Sequence, residues 1–142
     1  MPFVPARRAP DRPVRQLARR TGIALLVAWL ANWMVIVAIV RIERIAPAVP
    51  PEFAPVTGWT TVAVACAAVG YAIIDRYSTD PDAVFLQFVI VLLVLSFVPP
   101  LSGLVTDPEV TGGTVAVSIL MHVIVAASCA VVLTDDRLSV GR

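Results

Sequence analysis

The chain lacks lysine entirely, has one histidine (His122) and two cysteines, and is poor in charge: 15% of its 142 residues are charged and 58% are hydrophobic. A water-soluble domain carries about 25% charged residues, so a soluble globular fold is excluded. The missing lysine points to a GC-rich genome rather than to a mechanism. There is no CxxC, no HExxH, no glycine-rich phosphate loop, and no Ser/His/Asp set with an acid inside an apolar run. These gaps argue against an enzyme, a metal centre and a bound cofactor, and nothing suggests nucleic-acid binding. Cys66 and Cys129 both fall inside apolar runs, with an axial offset of about 9 Å, too far for a disulfide. Both read as small packing residues.

What the sequence has in quantity is long apolar runs. Four charge-free blocks cover about residues 22–40, 57–74, 83–98 and 114–133. Each is long enough to cross a hydrocarbon core of about 30 Å as a helix, and a lipid-embedded backbone must bond to itself. Strand alternation is absent, which excludes a membrane barrel. The expected fold is all-α, an integral membrane antiparallel four-helix bundle joined by short connections.

The net charge of +1 conceals a strong asymmetry. Arg7, Arg8, Arg12, Arg15, Arg19 and Arg20 precede the first block, Arg76 lies between the second and third, and Arg137 and Arg142 follow the fourth. Only Arg41 and Arg44 lie on the other side. By the positive-inside rule both termini are cytoplasmic, in a multi-pass protein of the cell membrane. Residues 1–20 are expected to be a disordered basic cytoplasmic tail, with VRQLARR able to extend the first helix downward. Residues 21–134 form the transmembrane domain, and 135–142 a short cytoplasmic tail. The long apolar core and the charges Arg41, Glu43 and Arg44 argue against a cleaved signal peptide. Arg15, Arg19 and Arg20 are candidate contacts for anionic lipid headgroups, the expected partners alongside the bilayer itself.

The first helix carries a small-residue stripe, Ala24, Ala28, Ala31, Val35 and Ala38, beside Asn32. The second, opening at TGWTT with Trp59 as an interfacial anchor, carries Ala63 with Ala67 and Cys66 with Gly70. Such spacing suits close helix contact, and the second helix is expected to be the most tightly packed. Tyr71 and Tyr77 bracket its inner end. Asp80 is the expected N-cap of the third helix with Pro81 in the first turn; Pro99-Pro100 is expected to end it. Val89 to Leu95 is apolar all round, as expected of a lipid-facing stretch.

Helical rise places Asn32 and His122 both about 16 Å above the cytoplasmic edge, with Cys66 near that level. Ser96 and Ser118 share the next level. Asn32, Cys66, Ser96, Ser118 and His122 therefore form a candidate intramembrane polar layer. A His122–Asn32 hydrogen bond would tie the fourth helix to the first; the alternative is a ligand site, since polar groups at this depth are functional candidates. Trp29 and Trp33, one turn apart, are expected to pack within the bundle.

The stretches AWLANW (28–33), FLQFVIVLLVLSFVPPL (85–101) and LMHVIVAA (120–127) resemble an uncharacterised family of small four-pass membrane proteins from high-GC bacteria and halophilic archaea. The resemblance covers about residues 21–134 and implies four helices; it implies no activity. The expected function is a non-enzymatic scaffold or accessory subunit, self-associating or joined to a partner membrane subunit. The alternative is a transporter or small-molecule binder with a midplane pocket around His122 and Asn32.

Overall fold

The computed structural model describes residues 14–42 and 52–134. The basic residues before Val14, the proline-rich stretch from Glu43 to Pro51, and the tail containing Asp135, Asp136 and Arg137 lie outside it. Among the described residues the chain is all-helical: α1 Val14–Arg41, α2 Phe53–Tyr77, α3 Pro81–Ser96, α4 Val98–Thr106 and α5 Gly112–Thr134. They make four spans long and apolar enough to cross a membrane, with α3 and α4 together forming the third, Pro81–Thr106.

The helix ends follow local chemistry. α1 is 28 residues, about 42 Å at the helical rise, because VRQLARR continues the helix where a disordered tail was expected to reach residue 20. α2 starts at Phe53, ahead of TGWTT. Pro55 fits there because first-turn N–H groups have no intrahelical acceptor. The Asp80 carboxylate accepts from the Ala83 N–H at 3.3 Å with Pro81 in the first turn, as the sequence suggests. The Thr111 hydroxyl accepts from the Thr114 N–H at 3.2 Å at the start of α5.

The prolines Pro99-Pro100 do not end the third span. The helix breaks at Phe97 and restarts at Val98, so both prolines occupy the first turn of α4, where a missing N–H costs little. The ladder resumes with Leu101 N–H donating to Phe97 O at 3.1 Å. α3 does end just before the prolines, as expected; what the sequence did not indicate is that a second helix, α4, starts with them and extends the span to Thr106.

α5 touches every other helix, and α1 packs chiefly on α5 and α2. Ala24 and Ala28 of α1, Val64, Ala67 and Tyr71 of α2, Phe85 and Val89 of α3, and Cys129, Val132 and Leu133 of α5 form one core. The start of α1, the end of α2, the start of α3 and the end of α5 thus meet in a single cluster. The buried face of α1 is Arg20, Ala24, Ala28, Asn32, Ile36 and Ile39. It includes Asn32 itself and leaves Ala38 exposed, so the alanine stripe turns off the core in its upper half.

The alanine-rich α2 is not the most enclosed helix. A third of the apolar window of α5 (33%) is buried, against 17% for α2 and 6% for the third span. Small side chains allow close approach but do not supply partners. Of the stretch Val89 to Leu95 expected to face lipid, Ile90, Val91, Leu92, Val94 and Leu95 are exposed and Leu93 is half-buried, while Val89 turns into the core beside Phe85 at i+4. Gly70 makes the closest approach of the described glycines: a Cβ there would stand 3.0 Å from the Phe88 ring of α3.

Candidate functional site

Polar side chains gather at two places. At the core end, Arg20 is 1% exposed, and its Nη1 donates to the Leu133 carbonyl at 2.9 Å. Leu133 lies in the last turn of α5, where carbonyls have no intrahelical donor and the helix dipole is negative. A guanidinium reaching across from α1 answers both deficits and joins α1 to α5. Arg15 and Arg19 are exposed. Of the three candidate lipid-contact arginines, Arg20 is therefore corrected to a buried cap. It shares the inward face with Ala24 and Ala28 at helical spacing, which Arg15 and Arg19 do not.

Beside it, the Tyr71 hydroxyl donates to Asp82 Oδ1 at 2.6 Å, linking α2 to α3 across the turn. The Tyr71 ring meets Phe85 edge-on, 5.0 Å between centroids at 85°. Tyr71 is buried and does not bracket an interface, whereas Tyr77 is 80% exposed.

The second polar group is a seam between α1 and α2. Asn32 Nδ2 donates to Thr60 Oγ1 at 3.1 Å. Trp29 Nε1 donates to Thr61 Oγ1 at 3.2 Å and lies 3.3 Å from Thr57 O. Trp33 Nε1 donates to Thr57 Oγ1 at 3.0 Å. The two indoles stack at 6.3 Å with 4° between planes, and Phe53 stands edge-on to Trp33. Trp33 is exposed rather than packed inside. Thr57, Thr60 and Thr61 give one helix face three hydroxyls at i, i+3 and i+4. That spacing in TGWTT was visible in the sequence, but without a partner helix it has no meaning.

Among the described residues no hydrogen bond joins Asn32, Cys66, Ser96 and His122, the members of the expected polar layer that lie on four different helices. Asn32 bonds to α2, not to α5, and its Oδ1 has no partner among the described residues. His122 Nδ1 lies 2.7 Å from the carbonyl of Ser118 on its own helix. Ser96 donates to Leu93 O at 2.7 Å, a bond within its own turn. Cys66 is exposed, in a shallow apolar depression with Ala65, Val69, Gly70 and Ile73. Helical rise fixes height alone, but contact also needs rotation about each axis, and α2 turns Cys66 away from the core. Gln87 is exposed on α3. No cluster of three His, Cys, Asp or Glu residues suited to a metal ion occurs among the described residues.

One consequence is measurable. A double-mutant cycle for Asn32→Ala with Thr60→Val is expected to give a coupling of about 0.6 kcal/mol, the size of an interhelical polar bond in a membrane. The cycle for Asn32→Ala with His122→Ala is expected to give a value near zero. Unfolding in mixed micelles measures both; a larger coupling for the second pair would restore the α1–α5 tie.

All-helical architecture with four membrane-length apolar spans defines the class: the chain has the build of a multi-pass membrane protein. It belongs to a family of unknown function, DUF6069, whose match covers residues 12–138. No curated protein matches the chain, and no solved structure does.

Proposed function

We propose that the chain is a non-enzymatic scaffold or accessory subunit of the cell membrane, an antiparallel four-helix bundle with both termini in the cytoplasm. The arginine asymmetry supports this orientation. Arg15 and Arg19, exposed on the first turns of α1, then face anionic headgroups, worth about 1 kcal/mol each. The observation that carries the scaffold reading is the open face of α2. The exposed small residues Ala65 and Cys66, with Val69, Ile73 and the edge of Gly70, line a shallow apolar depression on the outward side of α2. Close-approach residues without a partner inside one chain are suited to a helix from a second chain.

Cys66 makes the test direct, because Cys129 is buried and Cys66 is not. In a Cys129→Ala background, oxidation of native membranes is expected to give a Cys66–Cys66 dimer, since a disulfide requires Cα atoms within about 7 Å. A chain that stays monomeric under oxidation, while a cysteine placed at Val69 also fails to cross-link, contradicts self-association through this face.

A second reading, a small-molecule binder, is favoured by one observation. With its Nδ1 held by Ser118 O, His122 keeps its other ring nitrogen open in the middle of an apolar helix. This site is narrower than the expected midplane pocket around His122 and Asn32, for it rests on α5 alone.

A further inference from the structure

Resting on that second reading and deepening it, we infer that His122 and Ser118 bind the hydroxyl group of a membrane-dissolved amphiphile, such as a fatty alcohol, a phenol or a quinol. The tautomer comes first. A carbonyl oxygen only accepts, so the 2.7 Å contact with Ser118 O requires the proton on Nδ1. In a neutral ring Nε2 then carries the lone pair and is an acceptor. The same contact lays the imidazole back over the Ser118 turn, which is the direction helical side chains take.

Neither Nε2 nor the Ser118 hydroxyl bonds to another described residue. Both residues are half-buried, and neither atom is among those sealed in the core without a partner. In water, solvent would satisfy them. Near the middle of a membrane span the lipid tails offer no donor, and an unmet polar group is costly.

An acceptor and a hydroxyl one turn apart complement a single O–H group. Its proton goes to Nε2, and its oxygen accepts from Ser118 Oγ. Ethers, esters and ketones have no proton to give. α5 carries no charged residue between Gly112 and Thr134, so neither an ammonium nor a carboxylate finds a counter-ion there. A neutral group that both donates and accepts remains, and a hydroxyl is the smallest that does both through one atom. It has two sources, an amphiphile lying in the lipid or water drawn into the span, and the half-buried, lipid-level position of the pair selects the amphiphile.

Because His122 is the only histidine, imidazole-15N labelling of the full chain in bilayers reports on this one ring. Dodecanol and dodecyl methyl ether are the probes, since they differ by the one donor. The expected result is an unprotonated Nε2 whose resonance moves saturably with dodecanol and not with the ether. Ser118→Ala is expected to weaken the dodecanol response about five-fold, the loss of one hydrogen bond. Equal responses to alcohol and ether would overturn hydroxyl recognition while leaving a ligand crevice at His122. No response to either, with Nε2 contacting water, would overturn the amphiphile and the binder reading together. A proton on Nε2 in the unliganded protein would overturn the tautomer on which the assignment stands.

Discussion

Replacing Arg20 with alanine lowers the stability of the detergent-solubilised protein by roughly 1.5–3 kcal/mol, the cost of a charge-assisted hydrogen bond, while Arg19→Ala changes it by less than about 0.5 kcal/mol, as at other surface positions. The contrast follows from burial. Arg20 is enclosed and donates to Leu133 O, whereas Arg19 is exposed one residue away. Without the guanidinium the last turn of α5 loses its donor and the dipole its counter-charge. Arg20→Lys recovers only part of the loss, because an ammonium is a compact point charge without the planar fork. Thermal unfolding of the three variants in one detergent measures the differences. Equal, small effects for Arg19 and Arg20 would return Arg20 to the headgroup region.

Phe85→Ala is expected to cost about 2–3 kcal/mol, less than the roughly 3–5 kcal/mol of the same change in a water-soluble core. Phe85 is fully buried among Ala24, Val64, Tyr71 and Leu133. In a bilayer the separated helices rest in lipid, as apolar as the core, so the transfer part of the penalty falls away. What remains is lost van der Waals contact around a cavity, together with the edge-on ring pair with Tyr71, worth about 0.5–1.5 kcal/mol. Ile90→Ala, at an exposed position of the same helix, is the control and is expected to be near neutral. Equilibrium unfolding in mixed micelles reads both. A Phe85→Ala variant as stable as Ile90→Ala would mean that the cluster at the start of α3 does not hold the spans together.

Much of the fold was legible because hydrophobic length is a one-dimensional signal. The four blocks, the Asp80-Pro81 start of α3 and most of the outward stretch from Val89 to Leu95, in which only Val89 is buried, depend on local sequence. The errors share a cause. Arg20 looked like Arg19, and what separates them is the direction of one face of α1. Cys66 and Asn32 were placed at one height, but their azimuths are fixed only when α1, α2 and α5 meet. Tyr71 reads as an interfacial tyrosine by its position in the chain, and only the fold brings Asp82 within 2.6 Å of its hydroxyl. Pro99-Pro100 reads locally as a stop, and the six helical residues of α4 beyond it, Leu101 to Thr106, show that it is also a first turn. Thr57, Thr60 and Thr61 gain a role only from Trp29, Asn32 and Trp33 opposite.

The same distinction between height and azimuth separates the two functional readings. Scaffold association depends on the side of α2 that faces away from the core, and ligand binding on a pair within α5. Changes at Cys66 and at Ser118 are therefore expected to act independently, since Cys66 lies on the outward side of α2 and Ser118 on α5.

The most direct measurement is the sidedness of the chain in intact cells. Epitope tags at each end and a single cysteine introduced at Asp107, between α4 and α5, are probed with an impermeant reagent. Four crossings with both ends in the cytoplasm predict labelling at position 107 alone, with both tags reactive only after the membrane is opened. Labelling of either tag from outside, or release of the protein by alkaline carbonate, would contradict it.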